Sequence, residues 1–131
     1  MLNNDSRQQT FFKNDSNDSV RLGNPAIQLS YDLKNGMLTM YKDEKMIISN
    51  IYSMVKLKDG TSLISHEYAT HELLEQGEVE DDFGRGRKLA ILSQKDDLPK
   101  LLQSYYIYEE LPYLLVEFEV ESNMEIGRAH V

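Results

Sequence analysis

Beyond Val20 the chain alternates apolar and polar residues with period two. Across 26–33, Ile27, Leu29, Tyr31 and Leu33 fall on one side and Gln28, Ser30 and Asp32 on the other, as in a strand with one buried face. Lys34-Asn35-Gly36 follows and predicts a tight hairpin, because Asn and Gly accept positive φ. The chain returns along 37–41, turns at 42–45, and enters a longer β-rich run at 46–57 in which Ile51, Val55 and Leu57 point one way. Lys58-Asp59-Gly60-Thr61 is another turn. Segment 62–78 is the least regular. His71–Gln76 fits one helical turn, but its neighbours favour an extended strand with an irregular loop. Strand character resumes at 88–94, and 101–108 with 112–121 predicts a closing hairpin. In its second arm Leu114, Val116, Phe118 and Val120 face inward while Glu117, Glu119 and Glu121 face water, as expected of an antiparallel sheet with one wet side.

About eight or nine short strands separated by turns predict an all-β protein, an antiparallel β-sandwich with little helix. No long stretch has apolar residues three and four apart, and no solenoid or propeller repeat is present. Residues 1–19 break the pattern. They are polar, they repeat Asn-Asp-Ser, and only Phe11 and Phe12 can anchor them, as a first edge strand. The reading divides the chain into a flexible polar segment at 1–19, an incomplete sandwich domain at 20–123 and a tail at 124–131. The Asn-Asp-Ser triplets match a glycosylation acceptor and, loosely, a calcium loop, but the central Gly and distal Glu of such a loop are missing.

The 131 residues carry 22 acidic against 14 basic side chains, a formal net charge of −8. That balance opposes nucleic acid, whose phosphates need clustered Lys and Arg, and an anionic membrane surface. It suits neutral ligands. The absence of Cys excludes disulfides and thiolate metal sites. No apolar run approaches the roughly 20 residues that span a bilayer, and the first residues lack the basic and apolar regions of a signal peptide. The expected address is therefore cytoplasmic if Met1 is the native start.

Four clusters invite chemistry. His66 and His71 frame a near-miss of a zinc-protease motif, but at i and i+5 their side chains diverge instead of sharing one metal. Gly84-Arg85-Gly86 begins like a dinucleotide fingerprint, yet the third Gly is missing and a strand follows. The surrounding V-E-D-D-F-G-R-G-R reads first as a β-turn. It can also present Asp82, Arg85 and Arg87 to the vicinal hydroxyls of a sugar, and these three are the candidate substrate-edge residues. Tyr105, Tyr106, Tyr108 and Tyr113 can stack on sugar rings or on each other. Because neighbours in a strand point oppositely, Tyr105 and Tyr106 cannot share one core. Nothing picks out a pair of carboxylates for glycoside hydrolysis or a Ser-His-Asp arrangement.

Four blocks carry a resemblance: L-G-N-P-A-I-Q-L-S-Y-D-L-K-N-G, D-G-T-S, D-D-F-G-R-G, and L-P-K-L-L-Q-S-Y-Y-I-Y-E-E-L-P-Y. Together they resemble the N-terminal β-supersandwich domain of α-galactosidase-like glycoside hydrolases, the melibiase and raffinose-synthase group, over about 22–123. The resemblance implies a retaining attack on α-galactosides by two aspartates in a downstream (β/α)₈ barrel. No catalytic residue, metal or cofactor is therefore expected in this chain. The implied partners are that barrel and a galactose-containing saccharide, with a homo-oligomer of the full enzyme allowed.

The tail, E-I-G-R-A-H-V, is the translation of a common sequencing-adapter start (GAG ATC GGA AGA GCA CAC GTC). Genuine sequence is thus expected to end near Asn123 or Met124, the chain to be a fragment of a longer enzyme, and the tail to be disordered. The alternative to an accessory domain is a free-standing carbohydrate-binding sandwich; a third possibility is a structural β domain with a protein partner. The accessory domain predicts an uncovered apolar face or edge, the binding module an aromatic sugar platform.

Overall fold

A computed structural model describes residues 10–109, 111–121 and 126–130, the last by backbone alone. Its strands are β1 (Phe11–Ser16), β2 (Ser19–Gly23), β3 (Ile27–Asp32), β4 (Met37–Lys42), β5 (Lys45–Ile51), β6 (Met54–Lys56), β7 (Ser62–Ile64), β8 (Thr70–Asp81), β9 (Gly84–Gln94), β10 (Lys100–Tyr108), β11 (Leu114–Glu121) and β12 (Ile126–His130). Among the described residues the helix is one 3₁₀ turn at Ser65–Glu67. The chain is all-β, as the alternation predicts.

Two five-stranded sheets run β1-β2-β3-β4-β5 and β12-β11-β10-β9-β8, every pairing antiparallel, and β6 and β7 form a small third sheet. The apolar faces of the large sheets meet. Val20, Leu22, Ile27, Leu29, Tyr31, Leu38 and Met40 from the first pack with Leu89, Ile91, Tyr105 and Ile107 from the second. Burial of this apolar surface is the main driving force for the sandwich. A second cluster of Leu63, Tyr68, Leu101 and Val120, with Val55, Leu57 and Leu98, ties the small sheet to one end of the second large sheet.

Asn24 clips the sheets together at the opposite end. It is 2% exposed. Its Nδ2 donates to the carbonyls of Tyr108 (2.7 Å) and Leu111 (3.1 Å), while its Oδ1 accepts from the amides of Ala26 (2.8 Å) and Ile27 (2.9 Å). One side chain thus closes the β2–β3 turn and holds the β10–β11 connection.

The structure departs from the sequence reading in four places. The first edge strand expected at Phe11 and Phe12 is present but runs on to Ser16, through residues expected to be flexible: β1 pairs along β2, Phe12 packs on the core, and Arg21 Nε bonds Asp15 at 2.8 Å. Residues 1–9 of the expected flexible segment lie outside the described residues. The run 46–57 is two strands. Ser53 and Ser65 bond reciprocally, amide to Oγ and amide to carbonyl, both at 2.8 Å, which turns the chain off the first sheet. The Asn35-Gly36 hairpin is not a two-residue turn, since Asp32 pairs with Met37 and only Gly36 takes positive φ (73°); Asp32 Oδ1 accepts from the amides of Lys34 and Asn35 and organises a four-residue loop. Finally, 126–130, expected to be disordered, pairs antiparallel with β11 as β12. An extended edge offers a row of unpaired amides and carbonyls to any segment able to lie along it. The remaining tail positions, 124, 125 and 131, lie outside the described residues.

Candidate functional site

Register divides the second sheet into two faces. Leu101, Gln103, Tyr105 and Ile107 of β10 point to the core, and Leu102, Ser104, Tyr106 and Tyr108 point outward. Tyr105 is accordingly buried in the core while Tyr106 is half-buried on the outer face, resolving the sequence-level conflict between these neighbours. The outer face also receives Lys88 from β9 and Leu115 from β11, both directly opposite Tyr106.

Around Tyr106 the outer face folds into a cleft of about 390 Å³ lined by Asp81, Phe83, Tyr106, Tyr108, Leu115 and Glu117. That volume is within the roughly 300–1,000 Å³ typical of small-molecule sites. The Tyr106 and Tyr108 rings are parallel within 9°, with centroids 6.4 Å apart. Phe83, 53% exposed, leans on Tyr108 with centroids 5.6 Å apart.

The β8–β9 hairpin builds one wall. Asp81 pairs with Gly84 across a two-residue turn, and its Oδ1 accepts from the Phe83 amide at 2.8 Å. Its Oδ2 accepts from the Tyr108 hydroxyl at 2.6 Å. Gly86 makes this packing possible: a Cβ there would lie 2.4 Å from the Ile107 carbonyl oxygen and 2.7 Å from Tyr108 Cδ1. The Gly-x-Gly spacing that resembled a nucleotide fingerprint is thus one turn glycine and one close-approach glycine.

Opposite, Lys88 Nζ bonds Glu75 Oε1 at 2.8 Å and lies 5.9 Å from the centre of the Tyr106 ring. Burial lowers the Lys88 pKa, but the Glu75 bond and the neighbouring Tyr106 and Glu117 outweigh it, so the net shift is upward and the ammonium stays charged. Burial and the adjacent Asp81 raise the Tyr108 hydroxyl pKa. Tyr106 is also raised, by burial first, with Lys88 opposing and Glu117 reinforcing. The cleft therefore presents neutral phenols and two carboxylates, with the Lys88 ammonium beside Tyr106 held by Glu75. It has no nucleophile activated by a base.

The three candidates from the sequence are placed apart from this cleft. Asp82 is exposed in the hairpin turn. Arg85 and Arg87 occupy the opposite register of β9, on the core-facing side. Arg85 is exposed, while Arg87 is half-buried with a buried Nε that lacks a hydrogen-bond partner. Their neighbours Asp81 and Phe83 line the cleft instead. Period-two alternation would place Asp81 and Arg85, four residues apart, on one side; the two-residue turn that pairs Asp81 with Gly84 separates them.

The histidines diverge. His66 packs edge-on to Tyr52, centroids 4.4 Å apart, while His71 is buried against Ser93, Nδ1 to Oγ 2.7 Å. Among the described residues no three His, Cys, Asp or Glu side chains gather for a metal ion. Ser93 is fully buried, so its contact with His71 belongs to an internal network. Gln103 Nε2 donates to Ser93 Oγ at 2.8 Å, and its Oε1 accepts from the hydroxyls of Tyr105 (3.0 Å) and Tyr31 (3.3 Å).

A different surface lies along β5. Met46, Ile47 and Ile48 are 62%, 57% and 54% exposed, with Tyr52 and Met54 exposed beside them. No known protein family, no curated protein and no solved structure matches the chain.

Proposed function

We propose that this chain is the N-terminal accessory domain of an α-galactosidase-like glycoside hydrolase acting on α-galactosides, and that its β5 edge seats the catalytic barrel. The observation that carries the reading is the uncovered apolar run Met46-Ile47-Ile48. Three consecutive apolar residues expose both sides of one strand, and contiguous apolar surface of this kind marks an interaction site. The four sequence blocks that resemble the glycoside hydrolase domain supply the identity of the partner. Two bulges interrupt the pairing of β5 with β4, so the contact is made by side chains and not by adding another strand. The domain contributes no catalytic group in this reading; it holds the barrel and borders its substrate cleft.

A second reading, a free-standing carbohydrate-binding sandwich, is favoured by the aromatic cleft on the second sheet. The two part at β5, which such a module has no reason to leave apolar. Reading the gene beyond the Asn123 codon tests the proposal: an open frame continuing into a (β/α)₈ barrel with two acidic residues at its strand ends is expected. An in-frame stop or an unrelated domain there overturns it.

A further inference from the structure

We propose that the outer-face cleft between the β8–β9 turn and the start of β11 binds a single neutral pyranose ring, with Tyr106 as its stacking surface and the Asp81 and Glu117 carboxylates as hydroxyl acceptors. The inference deepens the reading above and rests on it only for the choice of galactose as the sugar.

Three properties of the cleft select the ligand. Its volume of about 390 Å³ accommodates a small molecule and not a folded partner. Its walls are mainly aromatic and aliphatic, with polar groups at the rim. A pyranose has the complementary surface: a patch of C–H groups on one face and hydroxyls around the edge, each able to donate to a carboxylate. The third property is charge. Asp81 and Glu117 repel an anion. Lys88, 5.9 Å from the Tyr106 ring centre, is already paired with Glu75 at 2.8 Å and does not offset that repulsion. A neutral polyol is not repelled, and its hydroxyls can donate to the two carboxylates.

The cleft is also shaped before any ligand arrives. Both Asp81 oxygens accept bonds, from the Phe83 amide and the Tyr108 hydroxyl, so the carboxylate keeps one orientation and retains lone pairs for a ligand. Tyr108 is 2% exposed and acts as a floor, and Gly86 beneath it leaves room for the ring. Preformed walls reduce the ordering cost that weak ligands cannot offset.

The test is an NMR titration of the full chain with methyl α-galactopyranoside and, separately, methyl α-glucopyranoside. The expected result is saturable shifts at Tyr106 and Phe83 with a dissociation constant on the order of 1 mM for the galactoside. Tyr106→Ala, an outer-face change that leaves the core intact, should weaken binding about ten-fold through loss of stacking, and Tyr106→Phe should restore most of it. Binding unchanged in Tyr106→Ala, or no binding of either sugar, overturns the inference without touching the docking role of β5. Equal binding of both sugars supports the pyranose site and counts against galactose as its ligand, and so against the α-galactoside reading.

Discussion

Asn24 uses its full hydrogen-bonding capacity in one buried place, two donors to the carbonyls of Tyr108 and Leu111 and one oxygen to the amides of Ala26 and Ile27. Asn24→Ala would leave two buried carbonyls and two amides without this partner, and loss of stability by about 3 kcal/mol is expected, measured by urea denaturation. Asn24→Asp should cost at least as much, since its carboxylate would face the same two carbonyls. Nothing in the sequence singles out Asn24, because its partners stand 84 and 87 residues away and no local pattern points to them. The same limit explains the candidate site. Acids, arginines and tyrosines crowd together between Val79 and Tyr108 in the sequence. The register then sends Asp81, Tyr106 and Tyr108 to one side of the sheet and Arg85 and Arg87 to the other.

At the scale of elements, alternation was enough to locate β3 and β11, whose apolar and polar residues take turns, while β-rich composition between turn residues marked β4, β9 and β10. It failed where a side-chain bond redirects the chain. The Ser53–Ser65 pair divides β5 from β6 inside a run whose composition is uniformly β-like. The β4–β5 turn falls where the sequence places it, at 42–45. Lys42 pairs with Lys45, so Asp43 and Glu44 are the two central residues, and both take positive φ, 51° and 65°. This is the conformation of a type I′ turn, which favours Asn-Gly, and a Glu there is held against its Cβ sterics. Glu44→Gly should therefore stabilise the domain by about 1 kcal/mol, visible as a higher thermal midpoint with unchanged far-ultraviolet dichroism. A lower midpoint would place the strain elsewhere.

For the molecule as a whole, pH acts through the buried polar network. Burial holds His71 below its ordinary pKa of 6.5, although the Tyr68 backbone and the Asp32 carboxylate pull it upward and His66 adds to the lowering. The unfolded chain accordingly takes up a proton near pH 6.5 while the folded chain resists it until lower pH. More protons bind to the unfolded state in that window, so stability falls as pH drops through 6.5 and levels off below the folded pKa. Denaturation midpoints from about pH 7.5 to 5 should show this decline, and His71→Gln should flatten it. The sandwich class was legible at this scale from turn spacing and alternation. The function was less so: a binding surface depends on which residues share a face and what remains uncovered, and neither β5 nor the Tyr106 cleft leaves a motif.

Both large sheets are built entirely of neighbours in sequence, β1 through β5 in one and β8 through β12 in the other. Each can therefore form by closing short hairpin loops in succession, at small entropic cost. Contacts across long stretches of chain are left to the meeting of the two sheets and the seating of the small one. The entropy of folding is then concentrated in the docking step, and a first sheet that leaves the ribosome alone carries an apolar face that only the second sheet covers.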